Sequence, residues 1–241
     1  MKPTLLIARR ELAAYFRSWV GYVIIAGVWA VDGLLFNGYA LGGEAKRSSE
    51  VLSLFIYFSS GTTMISSILI SMRLLAEERQ QGTINLLYSS PIRDGEIVLG
   101  KFLAAFAFMA ILTLGTAYMP ALIFVNGKLS VGQIAGGYLG LLLLGSASLA
   151  IGTFGSSLVK SQVLAAIGAT CILVALLVSW LLVHRVDRPF SDLFNALALH
   201  GVHFQPFQSG VVHLRDVVYY LLVTYVFLFG ATRVLEARRW R

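Results

Sequence analysis

Residues 51–125 read VLSLFIYFSSGTTMISSILISMRLLAEERQQGTINLLYSSPIRDGEIVLGKFLAAFAFMAILTLGTAYMPALIFV. Two apolar runs, Val51–Leu75 and Ile97–Val125, flank a charged stretch, Ala76–Glu96. At 1.5 Å of rise per helical residue, each run is long enough to cross a hydrocarbon layer of roughly 30 Å. The stretch between them is polar at both ends and apolar in the middle, which places it outside the bilayer.

Working outward, four more runs of the same kind follow at Val20–Leu41, Gln133–Val159, Val163–Val183 and Val217–Leu235. Six spans give an all-α membrane protein. The composition agrees: 57% of the 241 residues are hydrophobic and 13% charged, where soluble domains carry about 25% charged residues. No small-residue cleavage site follows the first run, so it is expected to remain as a span rather than leave as a signal peptide. A single cysteine, Cys171, in an apolar run offers neither a disulfide framework nor a thiolate metal site.

The net charge of +7 would suit nucleic acid if it were clustered, but its positions read as topology signals and no nucleic-acid partner is expected. With both termini inside, the inner set is Lys2, Arg9, Arg10, Arg17, Arg73, Arg79, Arg93, Lys101, Lys160, Arg233, Arg238, Arg239 and Arg241. That is 13 of the 19 basic residues. The other side holds Lys46, Arg47, Lys128, Arg185, Arg188 and Arg215. An excess of Lys and Arg marks the cytoplasmic side, so a multi-pass protein of the inner membrane with cytoplasmic termini is expected.

Residues 1–19 form a separate unit ahead of a membrane domain spanning 20–241. Within it Leu5, Ala8, Leu12, Tyr15, Phe16 and Trp19 recur at helical spacing, with Arg9, Arg10 and Arg17 opposite, the pattern of an amphipathic helix lying in the interface. In the 76–96 loop, Thr83–Tyr88 predicts a short helix ended by Ser89, Ser90 and Pro91. Ile84, Leu86 and Leu87 would then be an exposed apolar knob suited to docking another protein. The second long polar stretch, 184–216, faces outward with Phe190, Phe194, Phe204 and Phe207, and part of it is expected to re-enter or lie on the membrane. His200, His203 and His213 there have no carboxylate or thiol at a convincing ligand spacing, so no metal is expected.

Gly95, Gly100 and Lys101 match seven positions of the phosphate-binding pattern G-x-x-x-x-G-K-[ST], but the eighth is Phe102 and no strand precedes. The hydroxyl that would hold Mg²⁺ is missing. The chain is therefore not expected to hydrolyse ATP, and no room is left among the spans for a nucleotide-binding domain.

Glu77-Glu78-Arg79, Gly82-Thr83, Leu86-Leu87, Ser90-Pro91 and Glu96-Ile97-Val98-Leu99-Gly100-Lys101 together resemble the cytoplasmic loop of type-2 ABC transporter permeases (the ABC-2 family). Gly210-Val211, Leu214-Arg215-Asp216-Val217-Val218-Tyr219-Tyr220 and Leu235-Glu236-Ala237-Arg238-Arg239-Trp240 resemble that family's last outer segment and final span. Within the family, the chain is most similar to permeases associated with gliding motility and with nitrous oxide reductase maturation.

The resemblance implies the type-2 exporter permease fold: an N-terminal elbow helix, six spans, a pair of permeases (a second copy or a paralogue) and cytoplasmic ATPase subunits that bind ATP and Mg²⁺. Lipids surround such a complex, and an accessory protein of the membrane or periplasm is compatible with it. The loop after the second span would be the coupling helix, with Glu77, Glu78, Gly82, Thr83, Leu86, Leu87, Ser90 and Pro91 as the ATPase-coupling residues.

Three readings stay open. Gly132, Gly136, Gly140, Gly145, Gly152 and Gly155 allow close helix approach in the fourth span, either within the chain or between copies. Asp32 in the first span faces a translocation path or a partner, or else sits near the outer surface because the helix ends at Gly33, Asn37 and Gly38. An ATP-independent secondary transporter is the alternative function, although apart from Asp32 the spans hold few ionisable residues and no inverted repeat is evident. An intramembrane enzyme would need paired catalytic groups at membrane depth, and none is read.

Overall fold

The computed structural model describes residues 3–42, 47–83, 92–183, 187 and 190–239, and among these there is no strand. Helix α1 (Pro3–Arg17) is followed by α2 (Trp19–Leu35), which continues as a π-helical turn over Phe36–Leu41. Helix α3 (Ser48–Ser71) leads through a tight turn into α4 (Ala76–Gln80). Next come α5 (Asp94–Gly115) and α6 (Tyr118–Asn126), which together make one kinked span. The remaining long helices are α7 (Val131–Leu158), α8 (Gln162–Val183) and α11 (Leu214–Arg239), with the short α9 (Phe190–Leu197) and α10 (Gln205–Gln208) before the last.

Among the described residues, six helices are long and apolar enough to cross a membrane: Trp19–Leu41, Ser48–Gln80, Asp94–Phe124, Val131–Leu158, Gln162–Val183 and Leu214–Arg238. They answer one for one to the six runs in the sequence, with small shifts at the ends. The kink in the third follows from Pro120, whose nitrogen cannot donate to the preceding turn. Thr116 closes the break instead, its hydroxyl donating to the Thr113 carbonyl at 2.7 Å and accepting from the Tyr138 hydroxyl at 3.0 Å.

Helix α7 is the axis of the bundle: 78% of its apolar window is buried, against 22%, 17% and 22% for α2, α8 and α11. Its glycines explain how so many neighbours reach it. A Cβ at Gly137 would fall 2.9 Å from the Ile56 side chain, one at Gly140 2.5 Å from Phe207 Cβ, one at Gly145 2.4 Å from Met109 Sδ, and one at Gly155 3.1 Å from the Ala165 carbonyl oxygen. At Gly136 the close neighbour is the backbone of Gly210, and at Gly152 it is Ser71. Of the two readings left open, these glycines serve contacts inside the chain. Gly132 alone of the set meets little, Ser130 Oγ at 3.5 Å.

One feature of the expected plan is corrected, and one open reading is narrowed. The break between α1 and α2 falls at Ser18, whose hydroxyl accepts from the Val20 N–H at 3.3 Å, so Trp19 opens the first span instead of closing the elbow. And the first span does not end at Gly33: it runs on to Leu41, which leaves Asp32 inside it.

The outer-stretch phenylalanines also divide. Phe204 and Phe207 are fully buried against α7, whereas Phe190 is 60% exposed, and α9 buries none of its residues. The segment 198–210 thus plugs one end of the bundle, held by the Leu199 N–H donating to the Leu176 carbonyl at 3.4 Å and by Ser53 Oγ donating to the Gln208 carbonyl at 3.0 Å. Gly201 (φ +74°) and Gly210 (φ +79°) supply its two left-handed turns. At the opposite, proximal end lie α1, α4, the start of α5 and the close of α7 and α11.

Candidate functional site

The second span changes direction at the proximal end, and a hydroxyl from the central helix sets where. Ser156 Oγ accepts from the backbone N–H groups of Leu75 at 3.0 Å and Ala76 at 2.9 Å, and donates to the Met72 carbonyl at 3.1 Å. These are amides that the start of α4 leaves without helical partners. Helix α4 closes at Gly82, whose φ of +74° suits a residue without a side chain.

Between these two points, each of the three charged residues of α4 reaches a different anchor. Glu77 takes both nitrogens of the Arg73 fork, at 2.9 and 3.0 Å. Arg79 donates to the Ser157 carbonyl at the end of α7. Glu78 accepts from Lys101 Nζ at 3.0 Å and, through its other oxygen, from the Thr83 hydroxyl; Arg10 Nη2 stands 3.7 Å away. The loop stem is thus tied to α7, α5 and α1, while Glu77 fastens it to the turn that enters it.

Lys101 is the pivot. Its side chain is 2% exposed, and its ammonium also donates to Glu11 of α1 at 3.0 Å. Glu11 receives Arg10 at 2.8 Å as well. A buried ammonium is tolerated only where carboxylates replace its water, and here one comes from the elbow and one from the loop stem. Gly100, beside it, lets α1 come close: a Cβ there would lie 2.9 Å from the Ile7 side chain and from the Thr4 carbonyl oxygen. Gly100 and Lys101, which echo a phosphate-binding pattern in the sequence, are occupied in seating α1.

The seat shifts the face of α1 from the expected one. Ile7 and Tyr15 are buried while Leu5 is 54% exposed, so the inward stripe runs Ile7, Glu11, Tyr15. Tyr15 stacks on Phe108 with ring centroids 4.8 Å apart, and its hydroxyl donates to the Ile70 carbonyl at 3.2 Å. Burial pushes this hydroxyl well above its ordinary value, so it stays neutral. A cavity of about 180 Å³ opens between elbow and stem, lined by Glu11, Tyr15, Arg73, Glu77, Glu78 and Lys101 among others. Three acidic and two basic side chains line it, and Arg10 alongside brings the charges into balance.

Of the residues singled out in the sequence, Glu77, Glu78, Gly82 and Thr83 therefore belong to one junction. Leu86, Leu87, Ser90 and Pro91 lie outside the described residues. Asp32 is elsewhere: it is 3% exposed in the first span, and Asp32 Oδ1 lies 2.7 Å from Thr62 Oγ1.

At the distal end, His203 Nδ1 is 2.7 Å from Asp216 and its ring stacks on Tyr219. His200 Nε2 is 2.9 Å from Ser60 Oγ. Because Ser60 already donates to the Tyr57 carbonyl at 2.6 Å, Nε2 is the donor in that pair. Burial pushes His200 down to about 4, which keeps its ring neutral near pH 7. Among the described residues no three of His, Cys, Asp and Glu gather as metal ligands.

Lys101, Glu11 and Ser156 were not legible as parts of this junction, because each is far in sequence from the partner that gives it a role. No curated protein matches the chain. Residues 7–235, nearly the whole length and including every element of the junction, match the ABC-2 family transporter protein. A helical bundle with six candidate spans, an elbow helix pinned across its proximal end and this match lead to one conclusion: the chain belongs to the ABC-2 family of transporter membrane proteins.

Proposed function

We propose that this permease subunit couples ATP hydrolysis by a separate ATPase polypeptide to export, or to mechanical work across the membrane, and that the loop carried by α4 is where the ATPase docks. The observation that carries this reading is the construction of the loop stem. A connecting loop needs no more than two helix ends, whereas this one is also bound to α1, α5 and α7 through Glu78, Arg79 and Ser156. Such bracing lets a push on the loop tilt several spans at once, because packed helices move as units instead of deforming continuously.

On this reading the proximal end is cytoplasmic, in line with 13 of 19 basic residues falling on that side, and the membrane is the bacterial inner membrane. ATP and Mg²⁺ belong to the ATPase, and this chain contributes no catalytic group. The sparsely buried faces of α2, α8 and α11 are left for lipid and for a second permease, identical or paralogous. An accessory protein of the membrane or periplasm, and a place among the gliding-motility and nitrous-oxide-reductase-maturation permeases, belong to the same proposal.

The test is the double substitution Leu86→Asp and Leu87→Asp. A charge forced against an apolar groove costs about 2 kcal/mol or more, and 1.4 kcal/mol is tenfold in affinity. ATPase association is expected to fall by roughly a hundredfold or beyond. Undiminished co-purification of an ATPase with the double variant would remove the loop from the contact.

A further inference from the structure

The distal half of the bundle holds a cleft that the permease reading does not use. Helices α3 and α8 both pack on α7 and only lightly on each other, so a gap remains between them beside the segment 198–210. It is a cavity of about 330 Å³, and small-molecule sites run from roughly 300 to 1,000 Å³. Gly61 and Met64 line it from α3, Leu177 and Leu181 from α8. Leu181 is 58% exposed, so the cleft opens sideways onto hydrocarbon. Trp180 is fixed as one wall, because a Cβ at Gly201 would fall 2.5 Å from its ring. Nothing lies within 4 Å of a Cβ at Gly61, which keeps the cleft open where the glycines of α7 are closed by neighbours.

The chemistry of the lining selects what can lie there. Among the described residues no charged side chain lines the cleft, so a charged head would enter without a counter-ion. Its buried polar pair is Ser60 and His200. Ser60 gives its proton to the Tyr57 carbonyl at 2.6 Å and accepts from His200 Nε2 at 2.9 Å. In that tautomer Nδ1 is an acceptor, and no group among the described residues donates to it. Burial keeps the ring neutral near pH 7, so the acceptor persists. An acceptor without a donor in apolar surroundings costs free energy that a ligand hydroxyl recovers. The ester chains of bulk lipid bring acceptors alone and leave Nδ1 unanswered.

We propose that this cleft binds an uncharged, hydroxyl-bearing lipid, in its simplest form a long-chain alcohol, whose chain lies between α3 and α8 and whose hydroxyl donates to His200 Nδ1. The ligand enters sideways from the bilayer. Binding needs no ATPase, so the inference stands apart from the permease reading.

Photo-crosslinking of the purified chain in lipid nanodiscs is the test. The probe is a long-chain alcohol with a diazirine midway along its chain, compared with its methyl ether, which lacks the donor, and with its sulfate ester, which is charged. Labelling of residues 57–64 and 177–181 is mapped by mass spectrometry and divided by labelling of the lipid-facing side of α11, which corrects for how much probe has entered the bilayer. The alcohol is expected to exceed the ether by roughly fivefold, the factor one hydrogen bond is worth, and the sulfate by roughly tenfold or more. His200→Leu should bring the alcohol down to the level of the ether. Gly61→Leu fills the cleft from a position with free space around it and should also remove the excess, which keeps the test decisive if His200→Leu is not recovered. Equal labelling by alcohol and ether would mean that bulk lipid alone occupies the cleft and would overturn the proposal. So would labelling by the sulfate that matches the alcohol, or an excess that survives Gly61→Leu.

Discussion

Lys101→Met is expected to release the elbow helix from the bundle. The substitution keeps length and apolar volume but leaves Glu11 and Glu78 facing each other with only Arg10 to neutralise them. Removing one partner of a buried ion pair costs about 3–5 kcal/mol. Both carboxylates keep 16–18% exposure, so the lower end, about 3 kcal/mol, is the expectation here. Hydrogen exchange over residues 3–17 and over 76–83 should rise together, since one ammonium serves both.

A control separates lost pairing from lost packing. Replacing the triad as a whole, Lys101→Met with Glu11→Gln and Glu78→Gln, removes the uncompensated charges and should restore most of the protection in both segments. Exchange that rises in the elbow alone would mean that the Lys101–Glu78 contact does not brace the loop stem.

Gly140→Ala is expected to be nearly as damaging, although it adds a single methyl group. That methyl would enter the space of Phe207 at 2.5 Å and touch Phe204 at 3.3 Å, and both rings are fully buried. Overpacking of this kind costs about 1–3 kcal/mol. The segment 198–210 should loosen first, because its rings are the movable side of the contact. Gly168→Ala is the companion measurement: nothing lies within 4 Å of a Cβ there, and exchanging glycine for alanine in a helix gains roughly 0.5–1 kcal/mol. Thermal unfolding in detergent should therefore fall for the first variant and hold or rise for the second. Equal behaviour of the two would mean that α7 is not the packed axis of the bundle.

The six spans and the elbow were readable because length and apolarity are local properties, and a run such as Gln162–Val183 declares itself whatever surrounds it. The ends were less so. Trp19 fits the apolar stripe of the elbow as well as the start of a span, and the Ser18 cap that decides between them is a single hydroxyl. The glycines of α7 were visible as a spacing, but a small residue serves a neighbouring helix of the same chain and one of a second copy equally well. Only the positions of Ile56, Phe207, Met109 and Ala165 settle which.

The junction was legible in half. Glu77, Glu78, Gly82 and Thr83 stood out through a family likeness, and Lys101 through the same likeness and an incomplete phosphate-binding pattern, but nothing in the sequence pointed to Glu11 as its partner. Their pairing joins residues 90 positions apart, and no periodicity reports a contact of that range. Asp32 shows the same limit: its cost in a membrane could be read from the sequence, whereas the hydroxyls that meet it come from another span.

The most direct test of the central claim is to isolate the tagged chain from its native membrane in mild detergent, identify the proteins that accompany it and assay the eluate for ATP hydrolysis. The account predicts that a protein bearing a complete phosphate-binding loop co-elutes, that the eluate hydrolyses ATP, and that the Leu86→Asp, Leu87→Asp variant yields neither. Elution of a folded chain without any ATPase, under conditions that keep other ABC complexes whole, would contradict it and return the secondary-transporter reading to first place.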